Sequence, residues 1–481
     1  MAFGRAASGL SLLAAGLLGA APAARAGDLI EALAKAYAGN PDIEEARAQL
    51  RAVDETVQIA RAPGLPSIAT SVRYQYSVNP GLNNYTSPTR TFAADAQVSI
   101  PIYQGGSVRN AIRAARTRVN GGRHDLEAVE TNIFAEVVTA YMDVLRDESV
   151  VDLNQRNVAA LSVNLKATEA RFAHGELTRT DVAQSVERLN LARGVLHTAE
   201  VNLATSREKY VQLVGSPPDQ LTQPPPLANL PAGADDAVEA AMQTNPDLLS
   251  AQESAKAAGF DAKVAGSARL PKIAVVGTYE YDNYFNTYGQ LYAPYYYQFD
   301  KISQVTVQAS FPLFQGGQPA AEQRKARATQ SAALEHANSV ERQVVQATHA
   351  SFIAWRASDN IIEANHRAVE AAQQSLDGVR AENKIGDRTI LDVLNAEQEL
   401  LNAQVQLVAA RHDAYVAAFN LLAAMGRVTP RDLGFDESQI YDPAANYRRV
   451  RGSIWDWGKG PKPVAVSSGT AAVTMQNGDV K

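Results

Sequence analysis

The sequence predicts a mainly α-helical chain built from two tandem repeats. Each repeat joins two amphipathic strands to a hairpin of very long coiled-coil helices. Three observations support this: a motif that recurs at one register, short segments of strict alternation, and proline-free spans with a sevenfold apolar seam. Ile100-Pro101-Ile102-Tyr103-Gln104-Gly105-Gly106 returns as Phe311-Pro312-Leu313-Phe314-Gln315-Gly316-Gly317. The same register carries Gly175 onto Gly386, Thr178 onto Thr389, Asp181-Val182 onto Asp392-Val393 and Gly215 onto Gly426. Upstream, Asn40-Pro41 matches Asn245-Pro246 and Leu65-Pro66 matches Leu270-Pro271 at a slightly shorter offset, which leaves the second copy longer between its strands. So long a period indicates two equivalent subdomains and not a solenoid.

Residues 1–26 begin with Arg5, run through an apolar stretch near Leu10–Leu18 and close on Ala24-Arg25-Ala26. This is the pattern of a secretory signal peptide, too short and too broken by Gly16, Gly19 and Pro22 for a membrane anchor. The first repeat then occupies 27–215. A linker at 216–234 holds Pro217, Pro218, Pro224, Pro225, Pro226 and Pro231, the second repeat spans 235–442, and 443–481 form a tail rich in Gly, Pro and Ser that is expected to be loose.

Within the first repeat the even positions from Ile68 to Val78 are mostly apolar and the odd ones polar, and Phe92–Ile102 alternates likewise. Ile273–Tyr281 and Val305–Phe311 repeat the pattern in the second copy. Each segment fits a strand with one apolar and one polar face. Such strands suit a soluble sandwich or a membrane barrel. Four strands cannot close a barrel in lipid, where the smallest known use about eight and an open edge is forbidden. A membrane location therefore requires several chains to share one barrel, and three chains would supply about twelve strands.

No proline occurs between Pro101 and Pro217, or between Pro319 and Pro430. Val137, Val144, Val151, Val158, Leu165 and Phe172 mark a sevenfold seam on the outgoing arm, and Val182, Leu189, Leu196, Leu203 and Tyr210 mark the returning one. Trp355, Ile362, Val369 and Leu376, then Val393, Leu400, Leu407, Ala414 and Leu421, do the same in the second copy. Seams of this length mean helices packed side by side as coiled coils. Gly175 and Gly386 should end the outgoing helices, and the Thr-x-x-Asp after each should start the returning one. Gly121-Gly122 is expected to weaken the first long helix and to mark a bend.

With 45 basic and 51 acidic side chains the net charge is −6, which argues against a nucleic-acid surface. The absence of cysteine excludes disulfides, thiolate metal sites, a cysteine nucleophile and a lipid anchor on an N-terminal Cys. The seven histidines never fall three or four residues apart, so no helical zinc pair is expected. No nucleophile elbow, dinucleotide fingerprint, Walker loop or zincin motif is present, so neither catalysis nor a cofactor is expected. A non-pore periplasmic coiled-coil protein is the alternative reading, but it leaves the strands and the duplication without a role.

The signal peptide, the duplicated plan and the Gly-x-x-Thr tips together resemble the TolC family of outer-membrane channel-tunnels over about residues 28–440. Lys384–Leu394 and Arg171–Val182 look like the family's two periplasmic tips. The resemblance implies a homotrimer in the outer membrane of a Gram-negative bacterium, with a 12-stranded β-barrel in lipid continued by a 12-helix periplasmic tunnel. It also implies an exit duct for a tripartite efflux pump or a type I secretion system. The tip would rest closed and open when a periplasmic adaptor (membrane fusion protein) and an inner-membrane pump of ABC or RND type dock. Carried over residue by residue, the gate is Arg388 with Asp181 and Thr180, and Asn383 stands where the family's type protein has a gate tyrosine. The tip constriction is Asp392 and Asn395, the latter replacing a second aspartate. Gly175, Leu177, Thr178, Gly386 and Thr389 are the expected adaptor contacts. Eight tyrosines at 279–297 are expected to form an aromatic girdle or, alternatively, an extracellular lid.

Overall fold

The computed structural model describes residues 29–78, 88–288 and 295–476. The leader at 1–26, much of the first outer loop from Asn79, and Tyr292 lie outside the described residues. Two helices open the chain, α1 (Leu29–Gly39) and α2 (Pro41–Arg61), and lead into strands β1 (Ser67–Tyr76) and β2 (Arg90–Gln104). The long hairpin α3 (Ser107–Ala173) and α4 (Arg179–Val214) follows. The second copy repeats this order as α5 (Ala234–Thr244), α6 (Pro246–Gly266), β3 (Lys272–Asn283), β4 (Phe299–Ser310), α7 (Gln318–Ile385) and α8 (Ile390–Ala424), and α9 (Ala445–Val450) closes the chain. Each repeat thus carries four helices, two more than its sequence predicts.

The second of the two unexpected helices begins alike in each copy. Asn40 and Asn245 are N-caps with proline at the first helical position, where its missing N–H costs nothing. Their amides also reach across the fold to the same place in each repeat. Asn40 Nδ2 donates to the Leu213 carbonyl at 3.1 Å, and Asn245 Nδ2 donates to the Ala424 carbonyl at 2.9 Å. The duplication thus extends to individual hydrogen bonds.

The four strands form one antiparallel sheet in the order β1-β2-β3-β4. Its register slips between Pro101 and Tyr103, where proline cannot donate to the ladder. The outer edges of β1 and β4 are open, and Ile68, Val72, Val305 and Val307 are each at least 68% exposed. Among the described residues no helix is long and apolar enough to cross a membrane.

At 67 residues α3 is ~100 Å long. It continues as one helix through Gly121-Gly122. A Cβ on Gly121 would lie 3.5 Å from Glu253 of α6, and one on Gly122 would lie 3.4 Å from Leu50 of α2. The glycine pair serves close packing of two short helices on a long one. That belt holds the main core, where Tyr37, Phe134 and Phe435 meet with ring centroids 5.7–6.0 Å apart. The proline-rich linker is strapped onto this core: Leu221, Leu227 and Leu230 pack against it, and the Tyr141 hydroxyl donates to the Thr222 carbonyl at 2.7 Å.

The belt also buries charge. Burial pushes the Glu130 carboxyl from 4.5 up to about 7, although Arg47, 4.0 Å away, pulls the other way. Folding therefore favours the protonated form. The associated stability is complete below pH 4.5 and is lost as pH rises to about 7, by about 3 kcal/mol. Thermal melts across this range should show Glu130→Gln losing that slope and exceeding the wild type at pH 8. A parallel slope in both proteins would assign the effect elsewhere.

Candidate functional site

The far ends of the two long hairpins are built the same way. Gly175 (φ 78°) and Gly386 (φ 90°) take the left-handed conformation that ends a helix without Cβ strain. Glu176 N donates to the Arg171 carbonyl at 3.0 Å and Asp387 N donates to the Glu382 carbonyl at 3.1 Å, closing a Schellman turn at each tip. The returning helices start in capping boxes. Thr178 N and Oγ1 donate to Asp181 Oδ2, both at 2.8 Å, and Thr389 N and Oγ1 donate to Asp392 Oδ2 at 2.9 and 2.8 Å. The backbone and hydroxyl bonds from Thr178, helped by Arg171, hold the Asp181 carboxyl below the usual range. The Thr389 hydroxyl and amide, helped by Arg388, do the same for Asp392. Both aspartates thus keep their charge in mildly acidic medium.

Within one chain Arg388 does not meet Asp181 or Thr180. Arg388 Nε donates to Glu382 Oε2 at 2.9 Å across its own turn, and Asn383 Nδ2 donates to the Arg388 carbonyl at 2.8 Å. Thr180 is exposed in the first turn of α4, Leu177 is half-buried, and Ile385 beside Gly386 is 74% exposed. Asn395 is exposed and accepts from Arg188 Nη2 of α4 at 2.9 Å.

A second set of polar side chains, which sequence reasoning missed, lies deeper. The Glu397 side chain on α8 is 5% exposed. It accepts from Asn164 Nδ2 of α3 at 2.8 and 2.9 Å and from Arg380 Nη2 of α7 at 2.8 Å. Leu161, Leu189, Ala192 and Leu394 pack beside it, joining α3, α4 and α8. The two hairpins of a chain are therefore stapled together roughly two turns from the tips. One signal was present: Glu397 falls between Leu394 and Leu401, at the spacing of a buried helix face.

Comparison with known proteins adds to this geometry. Residues 32–216 and 237–427 match the family model described as Outer membrane efflux protein. The chain belongs to that family. Outer membrane efflux protein BepC of Brucella suis biovar 1 (strain 1330) is 32% identical over 443 residues, covering 92% of this chain and 94% of that protein. Outer membrane protein TolC of Escherichia coli (strain K12) is 27% identical over 439 residues, with 88% and 87% covered. The Campylobacter jejuni CmeC outer membrane channel superposes with a TM-score of 0.75 at 16% identity, with 88% of each chain covered. As an outer membrane efflux protein of the TolC type, the chain is an export channel of the outer membrane. The non-pore coiled-coil reading is not favoured. The two matched segments are separated by residues 217–236.

Proposed function

We propose that three copies close their sheets edge to edge into a 12-stranded barrel and their hairpins into a 12-helix tunnel, forming an exit duct gated at the periplasmic tips. The open pair of edges carries the reading: β1 and β4 end the sheet on opposite sides, and lipid does not tolerate unpaired strand edges. The helices are equally unfinished, because α7 buries only Pro319, Val344, Thr348, Ser358 and Leu376 of its 68 residues among those described. Neighbouring copies would cover the remainder.

In the closed trimer Arg388 exchanges Glu382 for Asp181 and Thr180 of an adjacent copy. The link is charge-assisted and directional, yet as an exposed pair it is worth about 0.2–1 kcal/mol, weak enough for docking to break. Asp392 from three chains rings the opening and favours cations, while Asn395 tempers that preference. A periplasmic adaptor grips Gly175, Leu177, Thr178, Gly386 and Thr389, and an inner-membrane pump of ABC or RND type supplies energy and selects cargo.

Planar-bilayer recording tests this. The purified protein should run as a heat-sensitive trimer and open small cation-favouring channels, which widen in Arg388→Ser. A trimer whose channels ignore the substitution would retain the duct and remove Arg388 from the gate. A folded chain that never forms trimers or channels would overturn the reading.

A further inference from the structure

The segment after α9 begins at a telling place. Asn446 Nδ2 donates to Asp54 Oδ2 at 2.8 Å, Gln58 Nε2 donates to the Val450 carbonyl at 2.7 Å, and Arg61 Nη1 donates to the Arg451 carbonyl at 3.3 Å. All three bonds fasten α9 and the residue that follows it to the end of α2. Only the 3₁₀ turn Ala62–Gly64 and two further residues separate Arg61 from β1, and a Cβ on Gly64 would lie 2.9 Å from Val108 at the start of α3. The chain therefore leaves the body at the periplasmic rim of the sheet. At its other end Gln476 N is held by Glu208 Oε1 of α4 at 2.5 Å.

Between these fastenings the segment has no helix or strand. It exposes Ile454 by 70%, Trp455 by 73% and Trp457 by 82%. Four extended residues bring Trp455 within ~14 Å of Arg451. Arg448, Arg449, Arg451, Lys459 and Lys462 flank the aromatics with Asp456 as the sole acidic residue from 448 to 462, in a chain whose overall charge is −6. Tryptophan beside lysine and arginine is the chemistry of a membrane interface, where the indole lies at the headgroup level and the cations meet lipid phosphates. The rest of the rim is consistent, with Leu313 and Phe314 exposed by 96% and 88% just past β4.

We propose that residues 448–462 anchor the channel to the inner leaflet of the outer membrane, with Ile454, Trp455 and Trp457 inserted among anionic phospholipid headgroups held by Arg449, Arg451, Lys459 and Lys462. The placement rests on the barrel reading, which fixes the membrane at the sheet.

The chain has three tryptophans, so full-length Trp355→Phe leaves only the tail pair as reporters. This variant is reconstituted into vesicles containing phosphatidylglycerol, with and without bromine on the acyl chains. Quenching of roughly half the emission is expected, cut at least about twofold by Lys459→Glu with Lys462→Glu. Unquenched emission at the wavelength of water-exposed indole would overturn the anchor. So would emission already blue-shifted in the detergent trimer yet insensitive to bromine, which would place the tail on a second copy of the chain. Equal quenching in wholly neutral vesicles would overturn it too, because headgroup charge would then contribute nothing. Flotation and channel currents from the same vesicles report the barrel independently, so failure of the anchor is distinguishable from failure of the duct.

Discussion

Arg380→Leu should destabilise the tip region by about 2–3 kcal/mol per chain, because it leaves the Glu397 carboxylate buried with only Asn164 as a partner. Glu397→Leu should cost less, since the Arg380 side chain is already 43% exposed and can turn to water. The double variant should recover much of the loss of Arg380→Leu, as happens when both members of a buried pair are replaced by apolar groups. Thermal melts of the three proteins give the coupling directly, and simple additivity would show that the cluster does not act as a unit. Hydrogen exchange around residues 161–168 and 390–397 should rise in Arg380→Leu, where the hairpins lose their staple. Larger leak currents should accompany it.

Gly426→Ala is the second large effect. The glycine adopts φ 67°, and a Cβ there would stand 2.3 Å from the Thr244 carbonyl oxygen and 3.1 Å from Asn245 Cα. Neither neighbour is a side chain that can swing aside, and both belong to the joint where Asn245 holds the Ala424 carbonyl. Strain and overpacking together predict a loss of about 3–4 kcal/mol. Gly386→Ala is the matched control: φ is 90°, but nothing lies within 4 Å of the added carbon, so only the backbone cost of about 1–2 kcal/mol applies. Melting temperatures of the two variants should differ clearly. Equal shifts would mean that the α5–α6 joint gives way without cost.

Much of this architecture was legible because periodic burial writes periodic sequence. The seam residues Val137 and Val144 are fully buried, and the hairpin of α3 and α4 fills the proline-free span nearly to its ends. Edges were less legible. β4 begins at Phe299, well before the alternation starts, because Lys301 and Ile302 break the side-chain pattern while the ladder to Asn283–Tyr279 continues. The short helices went unread for a different reason. Asn-Pro stood out as a repeated dipeptide, yet its meaning as N-cap and first turn appears only once the helix packs in the belt. Charged partners were the least legible. The Thr-x-x-Asp boxes are local and were found, whereas Asn164 and Glu397 lie 233 residues apart and meet only through the fold. Arg388 turning to Glu382 is likewise a property of the turn geometry, invisible in spacing alone.

The junction of sheet and helix has a mechanical meaning. β2 ends at Gln104 and α3 begins at Ser107, with only Gly105 and Gly106 between them, whereas the second copy joins β4 to α7 through the longer segment 311–317. A rod ~100 Å long rooted this closely in a sheet amplifies rotation, so a tilt of about 5° at the root sweeps the tip through roughly 9 Å. The staple at Glu397 makes the two rods of a chain swing together. Small changes of angle at that root are then enough to displace the far end widely.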